Sequence, residues 1–449
     1  MTRVLLAVHQ YFPNWIGGTE MLVRGLATRL ERDGHEPVIA TYEESPANDP
    51  AQYQVWNSTQ DGVEVFHIPY NLSCAQEPSR AEYDNTDTAR NFGAVLDRIA
   101  PDVVHVAHAM KLSGAIFAAA QSRGIPIVTT LSDYWFLCLR HTLVRPDGSL
   151  CSGPDRRYKC LHCAAVTHGF AKPSALEHPE PQLSETARRT ERYRAALGPF
   201  WPFPFARDVV NIAERLPRSI AALQRSDRII ALSKFLRDLY VRYGVGGDRI
   251  SLLRHGPEDV GHASIKAGRG RLPAGKLEIV SIGTLADFKG PHVLVEALAR
   301  VPDLDCRLLL YGRDGPDPAY TERLRQLAAR DARVALTGTF PPERMGDVLA
   351  TASVLAHPSI WYENEPLVIK DALLAGVPVA ASDIGTLPEL IAGVDGCILL
   401  PAGDVGAWAD WLRGLGTKPP PRTVDAPDLP TMEDFYRNML AIYQELAVR

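Results

Sequence analysis

Short apolar runs alternate with helix-period segments along most of the 449-residue chain. Val4 to Val8 reads as a first strand. Leu22, Leu26 and Leu30 then repeat every four residues on one helix face, and Gly34 stops that helix. Further strands are predicted at Pro37–Thr41, Val63–Ile68, Val103–Val106, Ile125–Thr130, Arg228–Leu232 and Ile250–Leu253. Apolar strands separated by helices imply a parallel sheet covered on both faces. The pattern restarts with a strand at Leu277–Ile282 and a helix at Pro291–Ala299. Strands follow at Arg307–Tyr311, Val334–Thr337, Val354–His357, Val377–Ala381 and Cys397–Leu400. The expected fold class is therefore α/β, with two Rossmann-like domains. Ligands of open α/β sheets bind beyond the carboxyl ends of the strands, so two such domains facing each other would make a cleft.

The first domain is expected over residues 1–255 and the second over 276–430. Between them, Gly256–Gly275 is rich in Gly, Pro and His without an apolar period and reads as a linker. Residues 431–449 are helical by pattern and are expected to return to the first domain. Residues 167–226 break the rhythm and read as an insertion. Its aromatic cluster, Phe200, Trp201, Phe203 and Phe205, suits either packing against the first domain or an exposed acceptor or peripheral membrane contact.

Composition narrows the function. The chain is 46% hydrophobic with a net charge of −5, which supports ample cores and argues against a nucleic-acid partner. No apolar run reaches the ~18–20 residues of a membrane span, and MTRVLLAV is too short an apolar run for a signal peptide. A cytoplasmic protein, peripheral to a membrane at most, is the expectation.

The most informative stretch is Trp361 to Gly385. An acidic loop residue, Glu363, is followed after seven residues by Asp371, and a helix is expected to open between them at Pro366. The amides of Leu367 and Val368 would then face out of the helix start, an anion site suited to phosphate. Asp371 lies roughly 7 Å further along the axis, the distance from a diphosphate to its ribose. One segment, including Asn364 and Glu365, thus has the reach to hold a nucleotide sugar at several points. In SIGTLADFKGPHVL, a strand and glycine turn carry Thr284 and then Lys289, a cation placed for a diphosphate. Gly17 and Gly18 open the first helix and allow close backbone approach. Neither a Gly-x-Gly-x-x-Gly after a strand nor a Gly-x-x-x-x-Gly-Lys-Ser/Thr is present, against a dinucleotide oxidoreductase or P-loop kinase. Asp133, after a strand, is the candidate for acceptor contact or proton handling, and His108, after VVHV, is a second such candidate.

Across GGTEMLVRGLATRL, TTLSDYWFLCLR, LSKFLRDLYVRYGVGGDRISLLRHG, GTLADFKGPHVLVEA and the Glu363 segment, the chain resembles family 4 (group 1) glycosyltransferases of the GT-B arrangement. The resemblance implies a retaining enzyme that moves a sugar from a nucleotide-diphosphate sugar to an acceptor hydroxyl, without a metal for the chemistry. It places Lys289 at the donor diphosphate, Glu363 at the transferred sugar, Asp371 at the ribose, and Gly17 and Gly18 against the phosphates. Asp371 replaces the usual second glutamate, Thr284 a frequent arginine and Ser132 a frequent histidine. Pro366 removes one amide that a glycine would offer. The acceptor class stays open among sugar, lipid-linked and small-molecule hydroxyls. A nucleotide-sugar epimerase of the same fold and a non-catalytic scaffold are the alternatives.

Four of the seven cysteines, Cys138, Cys151, Cys160 and Cys163, lie within 26 residues directly after Asp133. Only one pair has knuckle spacing, yet four thiolates can enclose a structural Zn²⁺.

Overall fold

The computed structural model describes residues 1–49, 53–154, 157–167, 204–257, 277–421, 423–425 and 427–448. The linker segment 258–276, most of the insertion up to residue 203, and Phe200, Trp201 and Phe203 of the aromatic cluster lie outside the described residues. The described chain divides into two compact units. One comprises Met1–Leu232, Arg237–Leu252 and Tyr436–Arg449, the other Ser233–Leu236 and Leu253–Phe435.

The first unit holds strands β1 (Arg3–Val8), β2 (Glu36–Glu44), β3 (Trp56–Gln60), β4 (Val63–Tyr70), β5 (Val103–Val106), β6 (Ile127–Leu131), β7 (Arg228–Ala231) and β8 (Ile250–Leu252). Their order is β3-β4-β2-β1-β5-β6-β7-β8. Every pair is parallel except β3 with β4, which is antiparallel. Strands β1, β5 and β6 are buried almost throughout, as expected for apolar runs covered on both faces. The helix Gly18–Arg32 turns Leu22, Val23, Leu26 and Leu30 into this core, and Gly34 follows its end at φ 78°. Strand β3 is absent from the sequence expectation. Its residues, WNSTQ, are mostly exposed and polar, so no buried face marks it as an edge strand.

The second unit holds β9 (Leu277–Ile282), β10 (Cys306–Tyr311), β11 (Val334–Gly338), β12 (Val354–His357), β13 (Val379–Ser382) and β14 (Ile398–Leu400), in the order β11-β10-β9-β12-β13-β14, all parallel. Its core gathers β-branched and leucine side chains around the fully buried Trp408, whose indole N–H donates to the Pro401 carbonyl at 3.3 Å. In both sheets the strand order reverses beside the first strand, between β1 and β5 and between β9 and β12. These are the topological switch points where such folds bind ligands.

The helix Met432–Ala447 contributes its second half to the first unit. The Tyr443 hydroxyl lies 2.6 Å from Nδ1 of the fully buried His105, whose Nε2 meets Thr130 Oγ1 at 2.8 Å. Tyr436 donates to Asp33 at 2.8 Å, and Arg228 pairs with Glu445 at 3.0 Å. Tyr443→Phe leaves a buried imidazole nitrogen without its partner, which costs about 1–3 kcal/mol. The expected outcome is a lower urea midpoint with an unchanged m-value; an unaltered midpoint would show the contact to be dispensable.

Candidate active site

In the second unit the site is built at the switch point by two loops. One follows β9 and forms a short turn, Asp287–Lys289, closed by Gly290 at φ 70°. The other follows β12, which ends at His357, and runs to the helix Leu367–Leu374. The Ile360 amide donates to the Phe288 carbonyl at 2.9 Å and ties the loops edge to edge. A Cβ on Gly290 would sit 2.1 Å from the Pro358 carbonyl oxygen, so both its φ and the close approach demand glycine. At the ends of β9 and β10 a second close approach flanks Thr284: a Cβ on Gly312 would stand 1.8 Å from the Gly283 carbonyl oxygen.

This junction brings Lys289 and Glu363 together. Lys289 Nζ donates to Glu363 Oε1 at 2.7 Å, and the same oxygen receives Ser359 Oγ at 2.9 Å and faces His357 Nε2 at 3.2 Å. The ammonium also lies 4.8 Å over the Trp361 ring, which itself packs against Phe288. Glu363 is buried, and burial by itself pushes its carboxyl up; Lys289 and His357 more than offset that and hold it well below the usual carboxylate range. The carboxylate therefore stays ionised and fixed at all ordinary pH.

The helix begins one residue later than expected. Pro366 is its N-cap at ψ 103°, not its first turn, and no side chain caps the end. The helix start thus keeps the open character expected of an anion site. Glu365 turns inward and forms an ion pair with Lys370, both side chains being almost fully buried. Lys370 also donates to the His255 carbonyl. The Glu365 carboxylate is thus buried and engaged by Lys370. Burial pushes it up, opposed by Lys370. Asp371, one turn into the helix, is 7% exposed, and burial raises its carboxyl to about 7 against the pull of Lys370.

In the first unit the corresponding switch point carries imidazoles. His9 follows β1, His108 follows β5 and Asp133 follows β6. His108 Nδ1 accepts the Met110 amide at 3.0 Å, which places the ring proton on Nε2, 2.9 Å from Asp133 Oδ2. The Trp135 amide donates to Asp133 Oδ1 at 2.7 Å, and Ser132 Oγ donates to the Ala107 carbonyl at 2.7 Å. Burial alone would raise the Asp133 carboxyl; the adjacent His108 overrides it and holds the group low. His9 stacks 4.2 Å from His108, and burial with His108 beside it keeps its pKa well down. Glu20, 3.6 Å from His9, folds back over the helix start: a Cβ on Gly17 would lie 2.5 Å from its carboxylate. Of the two glycines, Gly18 is the one with open space, and a phosphate at Gly17 has to displace Glu20. Next to these residues lies a cavity of about 300 Å³ lined by Tyr42, Tyr70, Met110, Lys111, Trp135 and His141 among others.

His9, His141, Lys111, His357 and Ser359 escaped the sequence reading. The signal for His9 and His357 is their position as the last polar residue of an apolar strand, VLLAVH and VLAH. The four cysteines are all outside disulfides. Among the described residues no group of three or more His, Cys, Asp or Glu side chains already stands as a metal-ligand set. Nor is any described helix long and apolar enough to cross a membrane.

The D-inositol 3-phosphate glycosyltransferase of Xylanimonas cellulosilytica is 31% identical over 274 residues, 58% of this chain and 63% of that protein. The enzyme of the same name from Corynebacterium diphtheriae is 39% identical over 151 residues, 31% of this chain and 34% of its own length. The chain therefore spans between about a third and just under two thirds of the length of the curated relatives it matches. Among solved structures, sucrose-phosphate synthase from Thermosynechococcus elongatus covers the whole chain with 97% of its own at a TM-score of 0.62 and 19% identity. The Anabaena HepE protein in complex with UDP-glucose covers the whole chain with 98% of its own at 0.58 and 16%. These two share the fold, GT-B, in which Rossmann-like sheets are paired within one chain. Residues 276–417 match the family described as glycosyl transferases group 1. Residues 17–256, more than half the chain, match the glycosyl transferase 4-like domain; this chain belongs to the group 1, 4-like glycosyltransferases.

Proposed function

We propose that the chain transfers a sugar, with retention, from a nucleotide-diphosphate sugar bound at the second unit to an acceptor hydroxyl bound at the first. The observation that carries this reading is the Lys289–Glu363 pair beside an uncapped helix start at a switch point. A donor pyrophosphate competes with Glu363 for Lys289. On binding it takes the ammonium and the open amides of the helix start, where charge develops as the glycosidic bond breaks. Glu363, still held by Ser359 and His357, is then turned to the sugar hydroxyls. Asp371 receives the ribose. A front-face route, in which the departing phosphate oxygen takes the acceptor proton, gives retention without a second carboxylate.

On the acceptor side, each Asp133 oxygen already accepts one hydrogen bond and keeps a lone pair for a hydroxyl. Its low pKa suits it to orient that hydroxyl as an ionised acceptor. The aromatic cavity of about 300 Å³ suits a ring-sized, hydroxylated acceptor. The curated relatives' name, a glycosyltransferase of D-inositol 3-phosphate, supports an acceptor of that size. The HepE complex supports a uridine nucleotide donor.

The test is a thermal-shift panel of nucleoside diphosphates and their sugars. A ligand at a hundred times its dissociation constant stabilises by about 2.7 kcal/mol. Lys289→Ala is expected to weaken nucleoside diphosphate binding at least tenfold. Glu363→Gln is expected to bind the nucleotide as tightly or more tightly, because Lys289 no longer has to leave an ionised partner, while transfer falls a hundredfold or more. Unchanged transfer by both variants, or no stabilisation by any nucleotide, overturns the reading.

Asp371 adds a pH signature. Its folded pKa, about 7, lies above the unfolded value, so its contribution to stability is fully present below about pH 4 and is lost as pH rises through 7. Asp371→Asn is expected to match the parent near pH 4 and to exceed it in thermal stability by a few kcal/mol at pH 8. Parallel curves across that range would contradict the assigned burial of its charge.

A further inference from the structure

We propose that Cys138, Cys151, Cys160 and Cys163 bind one structural zinc ion, with Arg215 as the buried counter-charge of the tetrathiolate. The inference is independent of the sugar transfer.

The fold gathers the four residues from three pieces of chain. Cys138 sits in the turn after β6, its amide bonded to the Tyr134 carbonyl at 2.7 Å. Cys151 enters through a short antiparallel pairing, Val144 with Leu150, turned at Gly148 with φ 84°. Cys160 and Cys163 lie three apart on the helix Arg157–Thr167 and so share one face. Leu143 links the first two: its carbonyl accepts the Cys151 amide at 2.8 Å, and its own amide donates to the Cys138 sulfur. The Arg140 amide donates to the same sulfur. Two backbone donors on one sulfur are the outer-shell support that an ionised, metal-bound sulfur needs. His141 and Leu143 hold left-handed φ of 50° and 54° to make this turn.

Electrostatics point the same way. Each of the four sulfurs lies within interaction range of the other three. Four cysteines brought into one region of the fold are the donor set of a structural zinc ion. Arg215 is the second observation. It is 4% exposed, lies 5.4 Å over the Trp135 ring and donates to the Trp135 carbonyl. Its Nε and Nη1 have no hydrogen-bond partner among the described residues. Around it lie the Cys138 and Cys160 sulfurs, the Tyr240 hydroxyl and the carboxylate of Glu82. A zinc tetrathiolate carries a net charge of −2 and supplies what a buried guanidinium lacks.

The sulfurs do not yet form a closed ligand set. Binding would draw them to about 3.8 Å from one another, the tetrahedral edge for a Zn–S bond of about 2.3 Å. Its loop carries Trp135, Leu139 and His141, which line the cavity of the first unit. The metal thus fixes one wall of that cavity.

Metal analysis of the purified full chain tests this. About one zinc per chain is expected, falling below a tenth in Cys160→Ser and Cys163→Ser and unchanged in Cys74→Ser. Chelated wild-type protein titrated with Co²⁺ should develop a strong thiolate-to-cobalt absorption band saturating at one equivalent, a readout that survives if the serine variants fail to fold. Arg215→Met should weaken zinc retention against a chelator at least tenfold. Protein grown with zinc that contains none, or a Co²⁺ titration without the thiolate band, overturns the proposal.

Discussion

The ion pair between Lys289 and Glu363 is the contact on which the second unit's site depends. Glu363 is too deeply buried to remain ionised unaided, and Lys289, Ser359 and His357 converge on one of its oxygens to keep it so. The two partners come from loops at the ends of neighbouring strands, β9 and β12, so their distance reports the register of the loops. Gly290 and the Ile360–Phe288 backbone bond set that register without side chains. A charge pair held by backbone geometry is rigid at rest. Under the proposed function it is also exchangeable, because a donor phosphate would offer Lys289 an equivalent partner.

The two units share one sheet order but give their switch points opposite electrostatic character. In the second, fixed charges dominate: an ammonium, an ionised carboxylate and an uncapped helix start. In the first, His9 and His141 are kept uncharged by burial around Asp133, with aromatic walls alongside. The charged arrangement of the second unit suits a phosphate; the uncharged, aromatic one of the first unit suits hydroxyl groups that need orienting. The division of labour follows from what stands at the strand ends, since the sheets themselves are alike.

Much of this was legible in the sequence, for a definite reason. Buried parallel strands such as Val103–Val106 and Val354–His357 are apolar on both faces, and both were read within a residue. The polar edge strand Trp56–Gln60 has no buried face and left no pattern. Lys289, Glu363, Asp371, Asp133 and His108 stand out as candidates in the sequence because they follow strands or open helices. The direction of a loop side chain is a different matter. Glu365, a candidate donor contact by sequence, has its side chain paired with Lys370, a lysine buried in a short helix that composition would place in water. Nothing in the local sequence announces a partner five residues away that faces the core. The same limit applies to Arg215, far in sequence from Trp135 and the cysteines it stands beside.

The placement of residues 436–449 in the first unit bears on how the chain matures. His105 is fully buried early in the sequence and waits for Tyr443, which emerges from the ribosome more than three hundred residues later. The second unit lies almost wholly between them in the sequence. The buried imidazole of the opening sheet thus gains its partner only from chain made after the second unit.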